Sequence, residues 1–158
     1  MKIKLMCMGS VRDAAIAELV KRYSARIPFY WPFDLIELPD IKLGKGVADP
    51  ERQKEAESER FLNEIGNGDF VVLFDEHGKE MTSRQLSDFI VRKAYELPRN
   101  LYFIIGGPYG FGARMHQRAD MKLSMSQMTF PHELARLIAV EQLYRAGTIS
   151  RGEPYHHD

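Results

Sequence analysis

The sequence predicts an α/β fold, with a mainly parallel sheet that carries helices on both faces. Short apolar runs of strand length alternate along the chain with longer segments whose apolar residues recur every three or four positions. Two of the runs, 70–74 and 101–105, are apolar without interruption, which is typical of strands buried on both faces. The 158 residues are expected to form one domain, 1–158.

The first quarter of the chain predicts a strand, a helix and a second strand. Residues 3–9 are apolar and β-like, and 13–27 repeat apolar positions on one helical face before a proline. Residues 33–38 again predict a strand, but Asp34 and Glu37 lie within it. Charged residues are rare in a strand buried on both faces, so we expect this strand at an edge of the sheet.

The middle of the chain carries two helix-start signals. Asp49 followed by Pro50 is typical of a helix N-cap and first helical position, and this helix is expected to end near Ile65. Residues 82–85 (Thr-Ser-Arg-Gln) have the capping-box pattern. The helix that follows them has an apolar face formed by Leu86, Phe89, Ile90, Tyr95 and Leu97.

The last third of the chain predicts a short helix, an extended segment and a long apolar helix. The short helix is expected over 113–121, and 123–130 alternates with period two, as either a fifth strand or an extended loop. The last helix opens at Pro131 and runs to about residue 146, where Gly147 is expected to cap it. Because it is apolar around most of its circumference, we expect it deep in the fold or at a subunit interface.

The composition excludes several classes of protein. The chain has 22 basic residues (lysine and arginine) and 22 acidic residues (aspartate and glutamate). This balance argues against nucleic-acid binding by bulk positive charge. It leaves open a local basic patch or recognition of a folded RNA by shape. No apolar run is long enough to span a membrane, and the N-terminus has no signal-peptide pattern, so a cytoplasmic location is expected. Cys7 is the single cysteine and is expected to be buried; one cysteine excludes an internal disulfide and a cysteine-based zinc site.

The segment after the fourth strand is the main candidate for a binding site. Gly106, Gly107, Gly110 and Gly112 follow the strand, and ligands of open α/β sheets bind beyond the carboxyl ends of strands. The spacing matches neither G-x-G-x-x-G nor a P-loop, and the chain contains no G-x-S-x-G or H-E-x-x-H motif. The glycines therefore serve either a tight turn alone or one wall of an apolar cleft for a flat heteroaromatic group such as adenine.

The other polar candidates each have a structural alternative. His132 is a helix cap or a ligand contact, Arg145 pairs with Glu141 four residues earlier or contacts a ligand, and Tyr155 and His156 stack on a base or belong to a frayed tail. His156 and His157 lack a third metal ligand, so no metal site is expected. Lys42 and Lys45 are as well explained by solvation as by phosphate contacts.

Four segments resemble the RlmH family of bacterial SPOUT-class methyltransferases. They are 104–110 (IIGGPYG), 123–132 (LSMSQMTFPH), 141–146 (EQLYRA) and 152–156 (GEPYH), in the same order as in the family, and the resemblance extends over the whole chain. It implies transfer of a methyl group from S-adenosyl-L-methionine to N3 of a pseudouridine in 23S rRNA of the assembled ribosome. It also implies a homodimer and a C-terminal trefoil knot, an exception to the general rarity of knots.

The resemblance also implies site residues. The cofactor would be bound by Phe74, Gly106, Met125, Ser126, Gln127, Met128, Thr129 and Phe130. His132, Arg145, Tyr155 and His156 would hold or polarise the target base, and no single general base is implied. A non-catalytic ribosome-binding or assembly factor and an enzyme acting on a small nucleotide remain alternatives.

Two positions depart from the family pattern. Phe74 stands where members often carry leucine, and His157 stands where arginine or lysine is common. Histidine gains its charge only in mildly acidic solution, so a phosphate contact made by His157 would be weaker and dependent on pH.

Overall fold

The computed structural model describes residues 1–44, 46, 49–96 and 99–158. The five strands are β1 (Lys2–Met8), β2 (Phe33–Leu38), β3 (Phe70–Glu80), β4 (Asn100–Ile105) and β5 (Met121–Ser124). The helices of the described residues are α1 (Ala14–Ser24), α2 (Pro50–Glu64), α3 (Ser83–Glu96), α4 (Ala113–Arg118) and α5 (His132–Ser150), with a 3-10 turn at Ile27–Phe29. Within these ranges, no helix has the combined length and apolar character needed to cross a bilayer. The predictions made for Lys45 and Leu97 fall outside the described residues.

The strands form one sheet in the order β2-β1-β4-β3-β5, and every neighbouring pair is parallel. This confirms the predicted parallel sheet, and β2 lies at an edge as its two carboxylates indicated. The ladder between β3 and β5 shifts register between Phe74 and Lys79, so residues 75–78 bulge away from the regular strand. The trefoil knot stays a prediction.

The helices cover both faces of the sheet, as predicted. Alternate residues of each strand point to opposite faces, so the two faces of the sheet contribute side chains to two separate apolar clusters. One cluster joins α1, α3 and α5 to side chains such as Leu5 and Phe103. The other joins α2 and α4 to side chains such as Leu73 and Ile104. The uninterrupted apolar runs in the sequence arise from this burial on both sides.

The predicted helix starts are confirmed in atomic detail. The Asp49 carboxylate accepts a hydrogen bond from the Arg52 backbone N–H at 3.1 Å, ahead of Pro50. The capping box is reciprocal, because the Gln85 backbone N–H donates to the Thr82 hydroxyl at 3.1 Å and the Thr82 N–H donates to the Gln85 side chain at 2.8 Å.

Several predicted boundaries were wrong. The first helix ends at Ser24 rather than 27, the short helix ends at Arg118 rather than 121, and β5 ends at Ser124 before a loop that runs to the last helix. β3 continues to Glu80, beyond the predicted 70–74, because the chain rejoins the sheet after its bulge. Tyr95 is 89% exposed and does not belong to the apolar face of α3.

Gly147 does not cap the last helix, which continues to Ser150. A Cβ atom at Gly147 would overlap the Tyr30 ring, so the glycine is needed for close packing of α5 against the 3-10 turn. The left-handed residue that follows the helix is Gly152, with φ +68°.

Candidate functional site

Three segments meet at the carboxyl edge of the sheet and enclose a cavity of about 830 Å³. They are the bulge within β3, the glycine loop after β4, and the loop between β5 and α5. Such a volume suits a small-molecule ligand. A second cavity of about 340 Å³ adjoins it and shares the side chains of Phe74 and Met125.

The glycine loop is both a tight turn and a wall of this cavity. The Gly110 N–H donates to the Gly107 carbonyl at 3.0 Å, and Gly110 has φ +79°, a conformation that disfavours a side chain. Gly106, Gly107 and Gly110 all line the cavity. The two uses left open by the sequence therefore coexist.

A buried carboxylate from α2 supports the glycine loop from behind. Glu57 is 4% exposed, and a Cβ atom at Gly107 would lie 2.6 Å from its two carboxylate oxygens. Gln53 donates to Glu57 at 2.9 Å. Burial raises the pKa of Glu57, and the hydrogen bonds from the Gln53 side chain and the Gly107 backbone oppose that rise. Sequence reasoning missed Glu57, because nothing distinguishes it from the other charged residues of α2.

Seven of the eight predicted cofactor residues line the main cavity: Phe74, Gly106, Met125, Ser126, Met128, Thr129 and Phe130. Phe74 is stacked on Phe103, with ring centroids 5.8 Å apart. Gln127 is not among the lining residues; its side-chain amide donates to Glu80 at 3.3 Å.

The charges around the cavity are acidic or histidine. Asp75, Glu76 and His77 lie in the bulge of β3, and their ligand atoms lie within 4.8 Å of one another. His116 also lines the cavity, and its Nδ1 atom is buried without a hydrogen-bond partner among the described residues. Neither lysine nor arginine lines this cavity in the part of the chain that the structure describes. Asp75 and Glu76 directly follow the apolar run 70–74 in the sequence, and this position was the signal that could have identified them as site residues.

The four predicted base-handling residues separate into two groups. His132, at the start of α5, lines the cavity. Arg145 is 13 residues further along the same helix, or about 20 Å at 1.5 Å per residue. Arg145, Tyr155 and His156 therefore form a second group, which we call the tail cluster, away from the cavity of their own chain.

The tail cluster is held together by ionic and aromatic contacts. Arg145 pairs with Glu141, with Nε 3.0 Å from Oε1, and its Nη1 atom lies 3.2 Å from Nδ1 of His156. The Tyr155 hydroxyl donates to the same Glu141 oxygen at 3.0 Å, and the Arg145 guanidinium lies 4.8 Å from the Tyr155 ring centroid. The hydrogen bond to Glu141 raises the pKa of Arg145, and burial raises the pKa of Tyr155, so both groups keep their protons near neutral pH.

The C-terminal tail is not frayed. Asp158 accepts hydrogen bonds from Arg84 on α3 at 2.8 Å and lies 2.8 Å from His156 Nε2. These contacts lower the pKa of Asp158 to about 2. His157 between them is exposed.

Arg136 is a further buried charge that the sequence did not indicate. It lies on α5, is 1% exposed, and its guanidinium pairs with Glu37 of β2 and donates to the Met8 carbonyl at 3.0 Å. It ties α5 to the carboxyl ends of β1 and β2, and we assign it a structural role.

A parallel sheet with a ligand-sized cavity at its carboxyl edge defines an α/β protein of the ligand-binding class. The family model described as "Predicted SPOUT methyltransferase" matches residues 1–156, and the chain belongs to this family. Two relatives carry the name "Ribosomal RNA large subunit methyltransferase H". The protein from Parabacteroides distasonis is 43% identical over 100% of both chains, and that from Christiangramia forsetii is 45% identical over 99% of both. The predicted relationship to the RlmH family is thereby confirmed.

The fold is also similar to a solved structure. The crystal structure of a methylase family protein from Neisseria gonorrhoeae has a TM-score of 0.55, with 99% of this chain and 86% of that chain covered. The sequence identity is 8%, so this likeness concerns the fold alone.

Proposed function

We propose that this chain is an S-adenosyl-L-methionine-dependent methyltransferase of large-subunit ribosomal RNA, with residues 1–158 forming one SPOUT-type domain. The observation that carries the proposal is full-length similarity at above 40% identity to relatives named for this activity. The target atom is N3 of a pseudouridine in 23S rRNA of the assembled ribosome, in the cytoplasm, and neither a membrane nor a metal takes part.

The cavity suits S-adenosyl-L-methionine better than a polyphosphate nucleotide. Glycine-loop backbone and the side chains of Phe74 and Met125 offer an apolar, hydrogen-bonding surface for adenine. The carboxylates of Asp75 and Glu76 attract a cation, and the cofactor carries a positive sulfonium and ammonium group. ATP or NAD would bring phosphates to a cavity whose described lining residues include no lysine or arginine.

The reaction requires the protein to position and polarise the target base, and it requires no covalent bond between the protein and the base. When bound, the cofactor would supply an electrophilic methyl group: the S–CH₃ bond would break as the N3–CH₃ bond forms, leaving a neutral thioether. The proton of N3 would be released to water. His132, Arg145, Tyr155 and His156 are the proposed groups that hold the base. Arg145 keeps its positive charge and is suited to stabilising an N3 anion, whereas Tyr155 keeps its proton and is suited to donating a hydrogen bond.

A homodimer would bring the two groups of base-handling residues together. Within one chain, Arg145 lies about 20 Å along α5 from His132, so both cannot reach one methyl group. Between them, half-exposed Leu134, Leu137 and Ile138 form an apolar stripe on α5. Packing of this stripe against a second copy would place the tail cluster of one subunit near the cavity of the other.

Two measurements test the proposal. Calorimetry is expected to detect binding of S-adenosyl-L-methionine or its demethylated product, and no binding of ATP or NAD. Tritium transfer from the labelled cofactor is expected to large ribosomal subunits from a strain that lacks the gene, and to be weaker with naked rRNA. Binding of ribosomes without transfer would instead identify a non-catalytic ribosome-binding or assembly factor.

His157 provides a test of the phosphate contact. We propose that its charge is needed there, so His157→Arg should flatten the acid-dependent part of the methylation profile. A pH profile identical to that of the unaltered protein would contradict a phosphate contact at this position.

A further inference from the structure

A row of aromatic rings and arginines extends from the tail cluster to the outer end of α5. We call it the stacking strip and define it as Phe29, Tyr30, Tyr144, Arg26 and Arg151. The ring centroids of Phe29 and Tyr30 are 6.0 Å apart, and those of Tyr30 and Tyr144 are 5.9 Å apart. The Arg151 guanidinium lies 5.5 Å from the Phe29 centroid and 5.0 Å from that of Tyr30, and Arg26 lies 5.7 Å from that of Tyr144.

The outer end of the strip is exposed yet held in place. Phe29 is 74% exposed, so most of its ring is open to solvent. Arg151 donates to the Phe29 carbonyl at 2.6 Å, and the Tyr30 hydroxyl donates to Glu153 at 2.6 Å. These bonds hold the backbone of Phe29 and the side chain of Tyr30 in place, which reduces the conformational entropy lost when a flat group stacks there.

The strip is continuous with the proposed base-handling groups. Tyr144 and Tyr155 are in edge-to-face contact, with centroids 4.8 Å apart, and Arg145 covers Tyr155. The nearby carboxylates are engaged, Glu141 by Arg145 and Tyr155, and Glu153 by Tyr30. None of the ion pairs among the described residues includes Arg26 or Arg151, so their charges are available to an anionic partner.

We propose that the stacking strip binds an unpaired nucleotide of the substrate RNA that flanks the methylated base. Its base stacks on Phe29, and Arg151 and Arg26 contact the adjoining phosphates. Exposed aromatic rings beside arginines are the features by which proteins grip unpaired nucleotides, and a ring face accepts any base. This inference rests on the proposed function, because it assumes that the RNA reaches the tail cluster.

The strip also accounts for RNA binding by a protein with no net charge. A few aligned arginines give local attraction, and stacking supplies binding energy that does not need a basic surface. Because the strip lies beside the tail cluster, we expect it to bind a nucleotide next to the target base.

The experiment compares Phe29→Ala and Arg151→Ala with two matched controls. Tyr95→Ala removes an exposed ring of α3, and Arg114→Ala removes an exposed arginine of α4, on the opposite face of the sheet. Measured quantities are KM and kcat for tritium transfer to large ribosomal subunits, calorimetric affinity for S-adenosyl-L-methionine, and oligomeric state by sedimentation.

We expect Phe29→Ala to raise the KM for ribosomal subunits roughly 5- to 150-fold, the range for loss of one base stack. Phe29→Trp should restore it, and cofactor affinity should not change. Arg151→Ala should weaken subunit binding and lower the slope of its salt dependence by about 0.7, the value for one phosphate contact on a single strand. Both controls should match the unaltered protein.

Two results would overturn the inference. One is an unchanged KM in Phe29→Ala while the unaltered protein still methylates ribosomes. The other is dissociation of the Phe29→Ala protein to monomers, which would assign the strip to contact between two copies of the chain. Failure of the unaltered protein to methylate ribosomes would instead refute the proposed function, and direct binding of the subunits without turnover would still test the strip.

Discussion

The replacement of Gly106 by valine tests whether the glycine loop is a wall of the cofactor site. A Cβ atom at this position would lie 3.2 Å from the Gly110 carbonyl carbon and 3.3 Å from Cε1 of Phe111. Alanine therefore requires a shift of only a few tenths of an ångström, whereas valine adds two methyl groups beyond that contact. Overpacking of this kind costs about 1–3 kcal/mol.

We expect this cost to fall on cofactor binding rather than on folding. Residues 107–110 form a turn that is partly or fully exposed, whereas β4 before it is buried, so we expect the turn to shift more readily than the strand. A cost of 1–3 kcal/mol then corresponds to S-adenosyl-L-methionine binding that is about 5- to 150-fold weaker for Gly106→Val, and Gly106→Ala should lose much less. The assay is calorimetric titration, with thermal melting to show that the protein is folded.

Gly46→Val is the matched control, because a Cβ atom at Gly46 would have no neighbour within 4 Å. It should bind the cofactor as the unaltered protein does. A folded Gly106→Val protein with normal cofactor affinity would refute the reasoning and place the cofactor elsewhere.

Three further predictions concern buried ionisable groups. Burial raises the pKa of Glu57, so the protein should be most stable relative to Glu57→Gln below the unfolded pKa of ~4.3. It should lose that advantage as pH rises through the raised pKa of Glu57. Urea unfolding of both proteins between pH 4 and 8 measures this, and a difference in unfolding free energy that does not change with pH would contradict it. Glu37→Ala should lower the free energy of unfolding by about 2–4 kcal/mol, and Arg136→Met should lower it less. The first variant leaves the Arg136 charge buried without a partner, whereas the second leaves a half-exposed carboxylate that water can solvate. A lower melting temperature for Arg136→Met than for Glu37→Ala would refute this prediction. Cys7, whose pKa burial raises to about 12, should react with a thiol reagent at pH 8 only after unfolding, and rapid labelling of the folded protein would show that its strand opens.

The sequence predicted those features that depend on local chemistry. Strand β2 has the predicted bounds because prolines flank it, and the charged residues within it indicated its position at the edge. The capping box forms because both partners lie within one helical turn. The apolar strands were identifiable because burial on both faces removes polar residues altogether.

The features that were missed depend on contacts between distant segments. Gly147 has the sequence signature of a helix end, but its role is set by Tyr30, more than 100 residues earlier in the chain. Glu57 and Arg136 become buried only because segments far from them fold over them. Of the two interpretations of the tail that the sequence left open, the frayed tail is wrong, because Arg84 and Glu141 hold it to two helices.

The position of β4 has a consequence for synthesis of the protein. β4 lies between β1 and β3, although it is made after both, so a growing chain that has not reached residue 100 has two apolar strands with open edges. Open apolar edges pair readily with other chains, and the nascent protein is therefore exposed to aggregation until the strand that joins them emerges. The glycine loop follows this strand directly, so the strand that joins β1 to β3 also brings one wall of the cavity, which the loop between β5 and α5 then completes.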